Sequence, residues 1–510
     1  MSQEALSQAG GIPAAADSES VSKFESLLQE RFKLATDEDE EGRSRADKRG
    51  KEVRDSVRAL ADEALKRTGT VTAQGDVLDY IQALIKQIDD EISKQLSVIM
   101  HHPDFTKLEG AWRGLYYLVS NTETDANLKI RVMNITKKEL FRALSKNEGV
   151  GWDRGPIFMK IYEEEFGMPG GEPYAALIGD FEFDHSPQDM LTLREMSKIA
   201  AASHCPFIAA ARPNLMQMDS WQELSNPRDL GKILATPEYA EWRGFRESED
   251  SRFVGLTMPR FLARLPYSTR ENPIEGFAFE ETIDSSSHQN FVWSNSAYAM
   301  GANIARAFKM HGWCARIRGV ESGGMVDNLK IHAFPTDDGG VDIKCPTEIG
   351  ITDRREKELA TLGLMPLSHW KNTNYAVFVG AQSVQKPAKF YDDDATANAN
   401  LSARLPYLFA CCRFAHYLKC MVRDKVGSYM ERDQLQQWLQ NWIQNYVTDS
   451  NASEQMKMER PLAAAEVTIE ADPEDPGVYR AEFSLRPHYQ LEEVNIGLRL
   501  VSRLPRDRKA

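Results

Sequence analysis

Over residues 76–100 an apolar side chain returns every three or four positions: Val77, Ile81, Leu84, Ile88, Ile92, Leu96 and Ile99. This approximates a seven-residue repeat, the pattern of a helix whose apolar seam meets another helix. Asp76 is placed to cap its start and Pro103 to stop it. Such a seam can be covered by the chain's own domain or by helices of a second chain.

A shorter stripe lies upstream. Phe24, Leu27, Leu28 and Phe32 recur at helical spacing, with Glu25, Gln29, Glu30, Arg31 and Lys33 filling the other face. A helix this short is marginal alone, since about 12 to 15 residues are the minimum even for good helix formers. Residues 1–17 before it are small and polar. An acidic run, residues 37–41, and the bases Arg43, Arg45, Lys48, Arg49 and Lys51 behind it predict a solvated linker. Held between two such stretches, the stripe is suited to a groove on a partner.

Farther along, strands and helices alternate. The pattern predicts a strand over 127–133, a helix from Lys138, and a buried strand over 174–178 ending at Gly179-Asp180. A helix over 188–204 and a buried strand over 206–211 follow. This rhythm predicts an α/β core. Helices are also expected over 293–311, 405–427 and 433–447, the last with a broad stripe of Leu435, Trp438, Leu439, Trp442, Ile443 and Tyr446.

The C-terminal part changes character. Val467 and Ile469 alternate with polar neighbours, as do Tyr479, Ala481, Phe483 and Leu485 beyond the proline-bearing turn 472–477. That is a hairpin with one apolar face. Val494, Ile496, Leu498 and Leu500 predict one more strand. Open edges on such a hairpin are places where another chain can add a strand. A proline at Thr468 or Arg480 would remove a ladder donor there and hinder registry.

With 510 residues, about three folded domains of roughly 150 residues are expected. The organisation reads as a flexible segment 1–56, a helical region 57–110, an α/β middle domain 111–385 and a C-terminal domain 386–510 bearing the hairpin. A formal charge of −14 disfavours nucleic acid, because phosphate binding needs concentrated Lys and Arg. No stretch approaches about 18 uninterrupted apolar residues, so no membrane insertion is expected. Residues 1–16 lack the pattern of a signal peptide. Six cysteines in this length are no disulfide framework, and a reducing cytoplasm is the simplest compartment.

Catalytic order is missing. Asp392, Asp393 and Asp394 could hold a hard cation, but neighbours on an extended chain point to different sides, which suits a helix start or an acidic contact patch better. Cys412, His416 and Cys420 share one helix face with Cys411 beside them, yet zinc would need a fourth ligand, and small thiols among Leu408, Leu418 and Met421 read as packing. Cys205 and His204 are adjacent and so do not face each other. Gly323-Gly324 lacks the Lys-Ser or Lys-Thr of a phosphate loop, and Gly149-Val150-Gly151 lacks the third glycine of a dinucleotide fingerprint. The chain is a poor enzyme candidate, and no cofactor or metal is expected.

Several uncommon strings nevertheless occur in one order. They are His102-Pro103-Asp104-Phe105, Trp112-Arg113-Gly114-Leu115, Ser248-Glu249-Asp250-Ser251-Arg252, Pro259-Arg260-Phe261-Leu262 and Asn295-Ser296-Ala297-Tyr298. Cys345-Pro346-Thr347-Glu348-Ile349, Gly363-Leu364-Met365-Pro366-Leu367, His369-Trp370-Lys371, the triple aspartate, Arg404-Leu405-Pro406-Tyr407 and Arg486-Pro487-His488-Tyr489 continue the series. In these the chain, over about residues 77–505, resembles the large sheath subunit of bacterial type VI secretion systems, the TssC/VipB/ImpC family.

The resemblance implies a mixed α/β, contractile tail-sheath-like fold. It implies an obligate heterodimer with a small sheath subunit (TssB/VipA-like), stacked as a helical six-start tube around inner-tube hexamers (Hcp-like) in the cytoplasm. The tube would stand on a membrane-anchored baseplate, contract to drive the inner tube into a target cell, and be dismantled by an AAA+ disassembly ATPase (ClpV-like). Val77, Ile81, Leu84, Ile88 and Ile92 would then meet the small subunit. Val467, Ile469, Tyr479 and Phe483 would serve inter-subunit strand exchange, and Phe24, Leu27, Leu28 and Phe32 would be the ATPase contact. A phage-tail-like sheath of a related contractile injection device, built from one sheath protein, is the alternative. A cytosolic enzyme with a hidden site near Asp392–Asp394 is a third reading.

Overall fold

The computed structural model describes residues 74–490 apart from 227, 271, 284–287, 336–338 and 472–478. The chain divides into two compact units, Met1–Ile92 and Ser93–Ala510. What is described of the first is the larger part of helix α1, Gln74–Met100. The helix begins before Asp76, which therefore lies in its first turn and is not its cap. Pro103 ends one helix by opening the next, α2 (Pro103–Ser120), where a missing N–H costs nothing and His102 caps the start. Phe24, Leu27, Leu28 and Phe32, expected to contact the ATPase, and the strand expected over 494–500 lie outside the described residues.

In the second unit, buried strands make the centre. The sheet contains β1 (Leu177–Phe183), β2 (Phe207–Ala211), β3 (Val254–Met258), β6 (Met325–Val326), β9 (Leu364–His369) and β10 (Ala376–Phe378). Their order is β1-β2-β3-β9-β10-β6. The first four run parallel, and β10 is antiparallel to both β9 and β6. Every residue of β2 and β3 is buried, as parallel strands covered on both faces require. Short pairs stand outside this sheet: β4 (Phe261–Leu262) with β5 (Trp293–Ser294), and β7 (Ala333–Pro335) with β8 (Val341–Ile343).

Three expectations change here. Residues 127–133 form no strand. Val132 is 68% exposed, and the segment is tied down by side chains instead, Lys129 to Glu172 and Arg131 to Glu165 and Glu172. The strand expected over 174–178 starts at Leu177 and runs through Gly179 and Asp180 to Phe183. Gly179 does not end it; a Cβ there would stand 2.7 Å from the Phe207 ring, so the glycine makes room for a neighbour's side chain. Helix α5 (Ser296–His311) starts three residues after Trp293, because β5 uses Trp293 and Ser294, and the Asn295 side chain accepts the Ala297 N–H at 2.8 Å. Helix α3 (Lys137–Ser145), with its Thr136–Glu139 capping box, and helix α4 (Pro187–Ser203) lie close to their expected places.

Helix α6 (Leu405–Lys425) explains the cysteine and histidine pattern. Cys412 and His416 are buried, and burial pushes the Cys412 thiol well above its ordinary range. His416 Nε2 donates to the Ser203 carbonyl at 2.9 Å, at the end of α4. Burial pushes the His416 pKa down to about 4. Between that value and its ordinary 6.5 the unfolded chain binds a proton that the folded chain refuses, so stability falls as the pH falls through this window. The loss should total roughly 3 kcal/mol. Denaturant titrations at pH 7 and pH 4.5 check it: His416→Gln should be less stable at pH 7 but lose distinctly less on acidification. An equal loss in both proteins would assign the acid sensitivity elsewhere.

Candidate inter-subunit surfaces

Helix α1 packs by its serines. Ser97 Oγ accepts the Thr282 N–H at 3.0 Å and donates to the Ser93 carbonyl at 2.7 Å, while Ser93 Oγ accepts the Glu280 N–H at 3.4 Å. Both serines are buried. At 100° per residue they stand opposite the apolar seam. Ile88 and Ile92 are 49% and 42% exposed, and Ile85 and Ile99 are exposed too. Val77, Ile81 and Leu84 belong to the same helix and the same seam by spacing. The seam seen in the sequence is real as a face: of its described side chains Ile88, Ile92 and Ile99 are exposed and Leu96 is half-buried.

Helix α2 repeats this inversion with glycines. Gly110, Gly114 and Leu118 are its buried residues. A Cβ on Gly110 would stand 2.4 Å from the Trp293 carbonyl oxygen, and one on Gly114 would stand 2.2 Å from Ser294 Oγ and 2.4 Å from the Tyr298 ring. The helix backbone thus lies directly on β5 and the start of α5. On its far side Phe105, Leu108, Trp112, Tyr116 and Val119 fall within roughly 40° of Trp112 at 100° per residue. All five are exposed, Trp112 at 65% and Tyr116 at 73%. An apolar stripe of this size needs a cover. In the sequence Trp112 stands out only as part of a recognition string; the 3.6-residue period through these five positions is the signal that marks the stripe.

A buried ion network fixes α2 in place. Glu281 accepts both Arg264 Nη1 at 2.6 Å and Nη2 at 3.0 Å, and pairs with His101 Nε2 at 2.9 Å. Arg264 Nε and Arg113 Nε converge on Glu109 Oε1 at 2.6 and 2.7 Å, and Arg113 reaches the Tyr267 hydroxyl at 3.0 Å. Burial alone would raise the Glu281 carboxyl, but Arg264, helped by the Tyr267 N–H and His101, holds it below its usual range. A second knot joins two of the recognition strings. Arg260 Nη2 meets Glu348 Oε1 at 2.7 Å, the Arg260 N–H donates to Glu348 Oε2 at 2.9 Å, and His288 Nε2 lies 3.1 Å from Oε1. Against burial, His288 and Arg260 bring the Glu348 carboxyl down to about 2. These pairs tie together the loops between β4 and β9, with Glu109 Oε2 left buried and without a hydrogen-bond partner among the described residues.

At the other end, β11 (Leu462–Ala471) and β12 (Tyr479–Pro487) form the expected antiparallel hairpin, with Val467 opposite Phe483, Ile469 opposite Ala481 and Ala471 opposite Tyr479. Val467 and Ile469 are buried against helix α7 (Arg432–Gln444), in a cluster with Trp313, Phe414, Leu439 and Ile443. Phe483 is half-buried beside them, and Tyr479 is exposed. The register corrects one expectation. The N–H groups of Val467 and Ile469 point out of the hairpin, so those of Thr468 and Arg480 point into it. A proline at either position would strike the hairpin's own ladder and leave its outer edge untouched.

The remaining candidates are accounted for by packing. Burial raises the Cys205 thiol far above its ordinary range, and His204 adopts a left-handed conformation as the cap of α4. The Asp392 carbonyl accepts the Thr396 N–H at 3.0 Å where the helix Asp393–Ser402 begins. Among the described residues no helix is long and apolar enough to cross a membrane, and no group of three or more His, Cys, Asp or Glu is placed to hold a metal ion.

Exposed apolar stripes on α1 and α2 and a terminal hairpin, with no catalytic cluster among the described residues, suit a subunit of an assembly. Residues 82–385 match the family model described as EvpB/VC_A0108, tail sheath N-terminal domain, and residues 394–504 match the tail sheath gpW/gp25-like domain of the same family. The chain is 58% identical over 494 residues, 96% of its own length and 97% of the relative's, to the type VI secretion system sheath protein TssC1 of Pseudomonas aeruginosa strain PAO1. It belongs to the VipB/TssC family of large subunits of the type VI secretion contractile sheath. Solved structures overlay loosely. The anti-feeding prophage baseplate gives a TM-score of 0.35 at 12% identity, covering 74% of this chain and 84% of that one. The contracted anti-feeding prophage sheath gives 0.32 at 14%, covering 76% and 86%. The family assignment rests on the sequence matches, not on these overlays.

Proposed function

We propose that this sheath protein works as the large half of a heterodimer. A small sheath subunit covers the α1 seam, and the pairs polymerise as a cytoplasmic helical tube around an inner tube, contract on a baseplate and propel the inner tube into a target cell. The observation that carries the reading is the outward α1 seam together with the α2 stripe, since helical faces of this kind take a helical partner. The hairpin then links successive pairs by strand addition, which keeps neighbours connected while they slide and rotate during contraction. Co-expression tests it. Alone the chain should aggregate; with the small subunit it should give soluble pairs and hollow tubes by electron microscopy. Tubes from the chain alone would favour a phage-like sheath, and a monodisperse soluble monomer would overturn the reading.

The stripe Phe24, Leu27, Leu28 and Phe32 we assign to the AAA+ disassembly ATPase, supported by its helical spacing ahead of a charged linker. It would be covered in the extended sheath and released on contraction. Leu27→Asp with Leu28→Asp should leave assembly and one contraction intact while binding to the ATPase's N-terminal domain drops by at least about tenfold. Unchanged affinity in a titration would remove the assignment.

A further inference from the structure

Helix α7 carries Gln436, Gln440 and Gln444 at intervals of four, one above another. Their amides take the place a neighbouring strand would take beside β11. The Val467 N–H donates to Gln440 Oε1 at 2.8 Å, and the Ile469 N–H donates to Gln436 Oε1 at 3.3 Å. Gln440 Nε2 donates to the Ala465 carbonyl at 3.0 Å, and Gln444 Nε2 reaches the same oxygen at 3.4 Å. The outer edge of β11 is therefore occupied, and its residues Val467 and Ile469 are packed against the helix that supplies the glutamines.

The outer edge of β12 is different. Ala481, Phe483 and Leu485 stand opposite Ile469, Val467 and Ala465, so their N–H and C=O groups also point out of the hairpin. Among the described residues β12 has β11 as its single sheet neighbour, and no hydrogen bond engages these outward groups.

We infer that the hairpin accepts a strand at β12 only, and that the glutamine ladder is a built-in closure of the β11 edge. This rests on the strand-addition reading above and narrows it to one edge. A strand arriving at β11 would have to displace four side-chain hydrogen bonds and the helix behind them before making its own. At β12 these ladder groups have no partner among the described residues. An edge left open pairs with whatever extended chain is presented to it, so two open edges would let the sheet grow both ways and join wrong neighbours. The occupant that fits is an extended segment of another sheath subunit with apolar residues at alternate positions, continuing the row of Ala481, Phe483 and Leu485.

Hydrogen exchange read by mass spectrometry tests this on the full chain paired with its small subunit, before and after polymerisation. In unassembled pairs the Val467 and Ile469 amides should exchange slowly, and about fivefold or more faster in Gln436→Ala/Gln440→Ala. On polymerisation, new protection should appear at Ala481, Phe483 and Leu485 and not along β11. New protection along β11, or no change at Val467 and Ile469 in the variant, would overturn the one-sided edge while leaving strand addition in place. No new protection on either strand would overturn strand addition itself, and this inference with it.

Discussion

Ile88→Asp should abolish co-purification of this subunit with the small sheath subunit while leaving its own fold intact. Ile88 is half exposed in the chain and the packed face of α1 is the serine face, so an aspartate costs the isolated protein little. In the pair the same position would be covered. Losing a buried aliphatic side chain removes about 1.5 to 3 kcal/mol, and placing an unpaired carboxylate there costs several more. Together these weaken pairing by roughly a thousandfold or more. The expected result is no partner in the eluate, with the variant chain aggregating as the wild-type chain does when expressed alone. Trp112→Asp on α2 should act in the same direction. Undiminished pairing of both variants would mean that neither face meets the small subunit.

The second large effect concerns Ala481. Its N–H points out of the hairpin, so Ala481→Pro removes a donor from the outer edge and sparing the internal ladder leaves the hairpin itself paired. Heterodimers should form in normal yield and long tubes should fail, with the tube fraction in sedimentation falling by about tenfold or more. Thr468→Pro is the contrast. It breaks the bond to β12 and should lower the stability of the heterodimer as well, by about 1 to 3 kcal/mol. Normal tubes from Ala481→Pro would show that this edge accepts no strand.

Much of this was legible in the chain. Period-two and period-3.6 patterns located the hairpin and the seam of α1, because burial on one face leaves a repeat that needs no tertiary knowledge. A continuous apolar run located β2, whereas β3 is absent from the strands the pattern predicts. The strand expected over 127–133 has the right residues but does not form; Lys129 and Arg131 are held by Glu165 and Glu172, partners that lie well beyond the local pattern. Gly179 read as punctuation because its reason, the Phe207 ring, sits on another strand. The closure of β11 was invisible for a similar cause. Gln436, Gln440 and Gln444 look like the solvated side of an amphipathic helix, and only the register of β11 beside α7 turns them into hydrogen-bond partners.

Helix α2 reverses the usual map of mutational tolerance. A reader of its sequence would protect Trp112 as core and spend Gly114 freely as surface. In the folded chain a tryptophan can be replaced without touching the body, whereas a single methyl on Gly114 collides with Ser294 and Tyr298. Selection on the fold alone would therefore hold the glycines and let the aromatics drift. Phe105, Trp112 and Tyr116 stand outside the packing that constrains Gly110 and Gly114, so positions two residues apart on one helix answer to different demands: one of folding, the other of company.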